Sequence, residues 1–274
     1  MLEKEDYMDP ECVLCGKPGE AVTVNPIPMG RVMDKLKEYE ERNDISGAER
    51  HLKYWLEEAE MNRDERGQLT LNNELMGHYR MRGKGEEAKK HARRALELLE
   101  RLGMEDTITA GTTCVNAGTV MEAFGDTEAG LELFERARAS YENNLPEDDQ
   151  RLGGLYNNMA LALTAVGRYR EAGLLFRSAL RVMEKQENGE LERAITLLNM
   201  ADAEEAEKGP EEAEKAIYGY LEEASALLGT ESLPRNAYYA FVCEKCAPVF
   251  GRYGFFAEER ELTARAAEIR EKHR

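Results

Sequence analysis

Glycine recurs in this chain at a fixed step of 42 residues: Gly83, Gly125, Gly167 and Gly209. On either side of each glycine the apolar residues fall at the i, i+3, i+4 spacing of one helix face. Leu155, Met159 and Leu163 precede Gly167, and Ala172, Leu175, Phe176, Ala179 and Leu180 follow it. A glycine in such a place supplies the turn at which one helix stops and the next begins. Two short amphipathic helices joined by a tight turn cannot bury both apolar faces against each other alone. They need neighbours of the same kind.

The same step supplies those neighbours. Ala160 aligns with Gly118 and Met76 behind it and Asp202 ahead; Phe176 aligns with Phe134 and Tyr218; Ala179 aligns with Ala137 and Ala95. A small residue, a glycine and an aromatic that return together mark a repeat array. Weaker copies flank it, around Asn43, Ala48, Leu52 and Trp55 on one side and around Ala247, Phe250 and Gly254 on the other. Six helix pairs are expected from about residue 29 to the C-terminus. Residues 1–27 stand outside the pattern, because Gly19, Pro26 and Pro28 interrupt any regular helix there. The expected organisation is a non-repeat segment over 1–27 and a helical repeat domain over 28–274.

This pattern resembles the tetratricopeptide repeat family, with a small residue in helix A, glycine at the A–B turn, and alanine, aromatic and alanine in helix B. Gly118, Gly125, Phe134 and Ala137 carry it in one repeat, and Ala160, Gly167, Ala172, Phe176 and Ala179 in the next. The step of 42 is longer than that family's usual period. It is similar to the long-repeat arrays of kinesin light chains and their bacterial relatives. The resemblance implies an all-α fold, a right-handed superhelical solenoid of about six pairs, whose helix A surfaces line a concave groove.

Composition narrows the partners. The formal net charge is −17 over 274 residues, and phosphate backbones need a basic face, so nucleic acid is not expected. A basic peptide or protein partner is easier to accommodate. The acidic opening, with Glu3, Glu5, Asp6, Asp9 and Glu11, excludes the apolar core of a signal peptide there. No run of about eighteen apolar residues exists to span a membrane. Five cysteines, an odd number without a secretion signal, fit a reducing compartment, and a cytoplasmic protein is expected.

Helix A repeats one residue type. Asn73, Val115, Asn157 and Asn199 are equivalent at the 42-residue step, and Asn116 is equivalent to Asn158. A carboxamide carries donor and acceptor side by side and can pair with both groups of an extended backbone. The resemblance implies that these positions face the groove, and that Asn73, Asn116, Asn157, Asn158 and Asn199 hold a protein or peptide segment. The other reading is packing: asparagine is a poor helix former, but it can bond to a neighbouring turn where helices crowd. Arg80 and Glu122, with Arg82 and Glu207, lie later in the same helices and would select among partners, unless they are merely a solvated face.

Cys12 and Cys15, followed by Gly16, resemble half of a zinc ribbon; two thiolates at that spacing can share a tetrahedral zinc, with further ligands from a second chain or a histidine such as His51. No cofactor is otherwise expected. Cys243 and Cys246 have the same spacing but fall within helix A of the sixth pair, where small buried residues belong, and Cys114 is expected in the core. No HExxH, GxSxG or GxGxxG motif occurs. The expected function is a non-enzymatic scaffold holding a partner segment in its groove. The alternatives are a peptide-sensing regulatory module that acts through a partner protein, and a zinc- or thiol-dependent protein using Cys12 and Cys15.

Overall fold

A computed structural model describes residues 24–272, and among these all regular structure is helical. Twelve helices follow in order: α1 (Met29–Glu41), α2 (Ile45–Met61), α3 (Glu65–Arg80), α4 (Gly85–Leu102), α5 (Ile108–Ala123), α6 (Thr127–Asn144), α7 (Gln150–Ala165), α8 (Tyr169–Met183), α9 (Glu190–Lys208), α10 (Pro210–Leu228), α11 (Ala237–Arg252) and α12 (Phe256–Lys272). They form the six expected A–B pairs, and within each unit these pack consecutively as in a tetratricopeptide-type solenoid. The helices separate into two compact units, Met1–Asn144 and Leu145–Arg274.

In the first unit α2 packs against α1 and α3, α4 against α3 and α5, and α6 against α5. The A helices α3 and α5 also touch directly. The turns follow the glycine step, since Gly83 and Gly125 hold φ of +66° and +87°, and Asn43 serves the first turn at +53°. Helix starts are capped by carboxylates: Asp44 accepts from the Gly47 N–H at 2.8 Å and Asp64 from the Gly67 N–H at 2.9 Å. Asp64 also receives the Ile27 N–H at 3.0 Å, which ties the lead-in strand of chain onto the α2–α3 turn.

The core of this unit matches large residues to small ones. Gly118 on α5 lies under Phe134 on α6, so that a Cβ there would sit 2.6 Å from the ring. Gly111 makes the same room for Tyr141. At the equivalent positions of the preceding pair the sizes are reversed, with Met76 on α3 and Ala92 on α4, both fully buried.

In the second unit α7 and α11 both lie against α9, while α8, α10 and α12 pack on their own A helices. Gly167, Gly209 and Gly254 turn with φ near +80°. Phe176 is buried as expected, but Tyr218 is 43% exposed and Ile217 occupies the core in its place. The cause lies at the turn. One residue separates Gly125 from α6 and Gly167 from α8, whereas α10 begins at once after Gly209 with Pro210 as its first residue. Proline is well placed at a first helical position because its missing N–H has no partner to lose. The start of α10 therefore buries Ala213 and Ile217 one residue early, and the stripe is back in step at Leu221 and Ala224.

Candidate functional site

Each unit presents a surface built from its A helices, and the asparagines lie on it in two different states. In the first unit Asn73 is only 4% exposed. Its amide donates to the Leu69 carbonyl at 3.1 Å and to Thr113 Oγ1 at 3.0 Å, and its Oδ1 receives the Asn116 amide at 3.3 Å. Asn73 is thus a bolt between α3 and α5. Asn116 is half-buried, with its own Oδ1 left over. Beside them Asn72 donates to the Gln68 carbonyl at 2.7 Å and pairs with His91 Nδ1 at 2.8 Å, on which Tyr79 stacks.

Arg80 and Glu122, one repeat step apart on α3 and α5, face one another electrostatically. Burial pushes the Glu122 carboxyl above the usual carboxylate range and the Arg80 guanidinium draws it partly back. Arg80 itself is exposed. Glu74 on α3 is also pushed up by burial, reinforced by Glu40.

In the second unit Asn157, Asn158 and Asn199 are all half-buried. Asn199 donates to Asn157 Oδ1 at 3.0 Å. That leaves the Asn157 amide and the Asn199 Oδ1 open, and Asn158 makes no hydrogen bond with any described residue. The difference from the first unit has a local cause. Thr113, which takes the Asn73 amide, is replaced two repeat steps later by Leu197, which offers no acceptor. The row predicted as one set of equivalent groups therefore differs between the units: Asn73 is fully bonded in one, while Asn157 keeps a free amide in the other. Its members meet in pairs, Asn73 with Asn116 and Asn157 with Asn199.

Residues 68–143 match the tetratricopeptide repeat family. These residues are tetratricopeptide repeats. Among solved structures, BtubC (BKLC) from P. vanneervenii is similar at 17% identity and a TM-score of 0.63, over 76% of this chain and 84% of that one. The tetratricopeptide-like repeats of a putative kinesin light chain from Podosopora anserina are similar at 19% identity and a TM-score of 0.52, over 75% and 96%. NprR in complex with its cognate peptide NprX is similar at 16% identity and a TM-score of 0.57, over 87% and 66%. These likenesses show a shared tetratricopeptide fold. No curated protein matches the chain.

Sequence reasoning missed the neighbours of Asn199. On α9, Glu192 lies two helical turns before it on the same face and accepts a hydrogen bond from the Tyr238 hydroxyl of α11. Tyr238 stacks with Phe241 at 6.2 Å, and the two are 45% and 46% exposed. The i, i+3 aromatic spacing on helix A of the sixth pair was the available signal. Further along, Asp202 of α9 pairs with Arg252 and accepts from Tyr253 at 2.9 Å.

The cysteines divide. Cys12 and Cys15 lie outside the described residues. His51, offered as a further ligand, bonds the Val32 carbonyl through Nε2 at 2.9 Å and packs between Tyr39 and Trp55. Cys114, Cys243 and Cys246 are free and buried. Burial pushes the Cys243 thiol up to about 11 and the Cys246 thiol up to about 12, so both are protonated at neutral pH. No group of three or more metal-ligating side chains occurs among the described residues. Nor, among them, is any helix long and apolar enough to cross a membrane.

Proposed function

We propose that this chain is a non-enzymatic interaction scaffold that holds an extended protein or peptide segment on the A-helix surface of its second unit, across α7 and α9. The observation that carries the reading is the open hydrogen-bonding capacity of Asn157, Asn158 and Asn199. A half-buried carboxamide with unmet donors and acceptors is costly to dehydrate without a partner. A peptide backbone supplies both complementary groups at once. The likeness to a fold solved with a cognate peptide supports the same reading. In the first unit Asn73 works as an internal clasp, and selection there falls to Arg80, Glu122 and the free side of Asn116.

The test uses a displayed library of linear peptides and the full-length chain. Asn158→Ala and Asn199→Ala should each weaken retained peptides about tenfold, the scale of one lost hydrogen bond in a partly desolvated site, with the melting temperature unchanged in Asn158→Ala and lowered slightly in Asn199→Ala, which also unpairs Asn157. Retention that is indifferent to both substitutions would overturn the assignment.

A further inference from the structure

The A-helix surface of the second unit continues from Asn199 toward α11, and its chemistry changes there. Glu192 and Asn199 are seven residues apart, so they share one face of α9. Against the Glu192 end of that face stands Tyr238, whose hydroxyl donates to the carboxylate. Phe241 lies one turn further along α11 and stacks on Tyr238 with an interplanar angle of 25°. Both residues are nearly half open to solvent. Glu192 forms no ion pair with any described residue. Burial pushes its carboxyl above the usual carboxylate range, and Lys245, one turn beyond Phe241, acts on it only from beyond ion-pair distance.

A half-buried carboxylate without a counter-ion, flanked by two exposed aromatic faces, is a poor arrangement for the chain alone and a good one for a visiting cation. The carboxylate offers charge-assisted hydrogen bonds, and the ring faces offer the negative lobe of their quadrupoles. The chain as a whole, at net −17, favours approach by a basic partner. We infer that Glu192, Tyr238 and Phe241 form a seat for an arginine or lysine side chain of the partner segment. This rests on the reading that Asn157, Asn158 and Asn199 hold that segment's backbone. The seat adds a side-chain preference to a surface that otherwise grips any sequence.

The probe is a positional-scanning library of ten-residue synthetic peptides, one position fixed per pool, offered to the full-length chain, with circular dichroism to confirm the fold of every variant. The wild-type chain should prefer Arg or Lys over Asp or Glu about tenfold at one fixed position. Glu192→Gln should erase that preference, Glu192→Lys should invert it, and Phe241→Ala should weaken it with Glu192 in place. Peptides retained with no charge preference, with an acidic preference, or with a basic preference that survives Glu192→Gln would overturn the seat while leaving the backbone grip intact. Retention of no pool, or binding unaffected by Asn158→Ala and Asn199→Ala, would overturn the backbone grip and the seat together.

Discussion

Asparagine occurs in two states on the A helices: Asn73 is bonded between α3 and α5, whereas Asn158 has no hydrogen-bond partner among the described residues. Asn73→Ala should cost about 1–3 kcal/mol, because Thr113 and Asn116 would both lose a partner inside the α3–α5 contact. Asn158→Ala should leave stability unchanged, and chemical denaturation of the two variants side by side decides the matter; equal midpoints would contradict the division. A second residue-scale consequence concerns acid. Burial holds His91 down at about 4, and His78 is lowered by the same cause. Their unfolded value lies near 6.5, so the unfolded chain takes up protons first as pH falls. The stability these neutral rings contribute is complete above about 6.5 and declines from there toward about 4. Melting temperature should therefore drop between pH 7 and pH 5, and His91→Gln should flatten the drop; a parallel slope in the variant would show that other groups drive it. The same logic makes Cys243 and Cys246 slow to alkylate at pH 8 until denaturant is added.

At the scale of elements, the turns were readable from sequence and the packing register was not fully so. A positive φ favours glycine so strongly that a recurring glycine reports the backbone directly, and Gly83, Gly125, Gly167, Gly209 and Gly254 all take it. Tyr218 was misplaced because Pro210 starts α10 without the intervening residue found after Gly125 and Gly167. A fixed step carries no information about such a slip. Nor could it tell Asn73 from Asn157, because the distinction depends on whether the facing helix offers threonine or leucine. Within pairs, what persists is the fit between A and B helices. Gly118→Ala should cost about 1–3 kcal/mol through overpacking against Phe134. The joint exchange Gly118→Met with Phe134→Ala, copying the Met76 and Ala92 arrangement, should cost less than the sum of its single changes. Additive losses in urea denaturation would show that the two sites are independent.

For the whole molecule, charge and modularity set the behaviour. With net −17, association with a basic peptide should be fast at low salt and slow markedly as ionic strength rises past about 0.1 M, since the Debye length is then about 10 Å; stopped-flow rates independent of salt would count against any electrostatic attraction. Within each unit, burial is shared between a helix and its partner across the glycine turn, as Phe134 shows by filling the space that Gly118 leaves. That sharing has a consequence for inheritance. Two copies recombined at equivalent glycines, Gly83 onto Asp126 for instance, would join flawless turns yet mate α3 with α6 and drive Met76 against Phe134. A crossover in the linkers between pairs keeps every mated helix with its own partner. The heritable module of such a chain is bounded by its inconspicuous linkers, while its most conspicuous landmarks, the glycines, lie at the centre of what must be passed on intact.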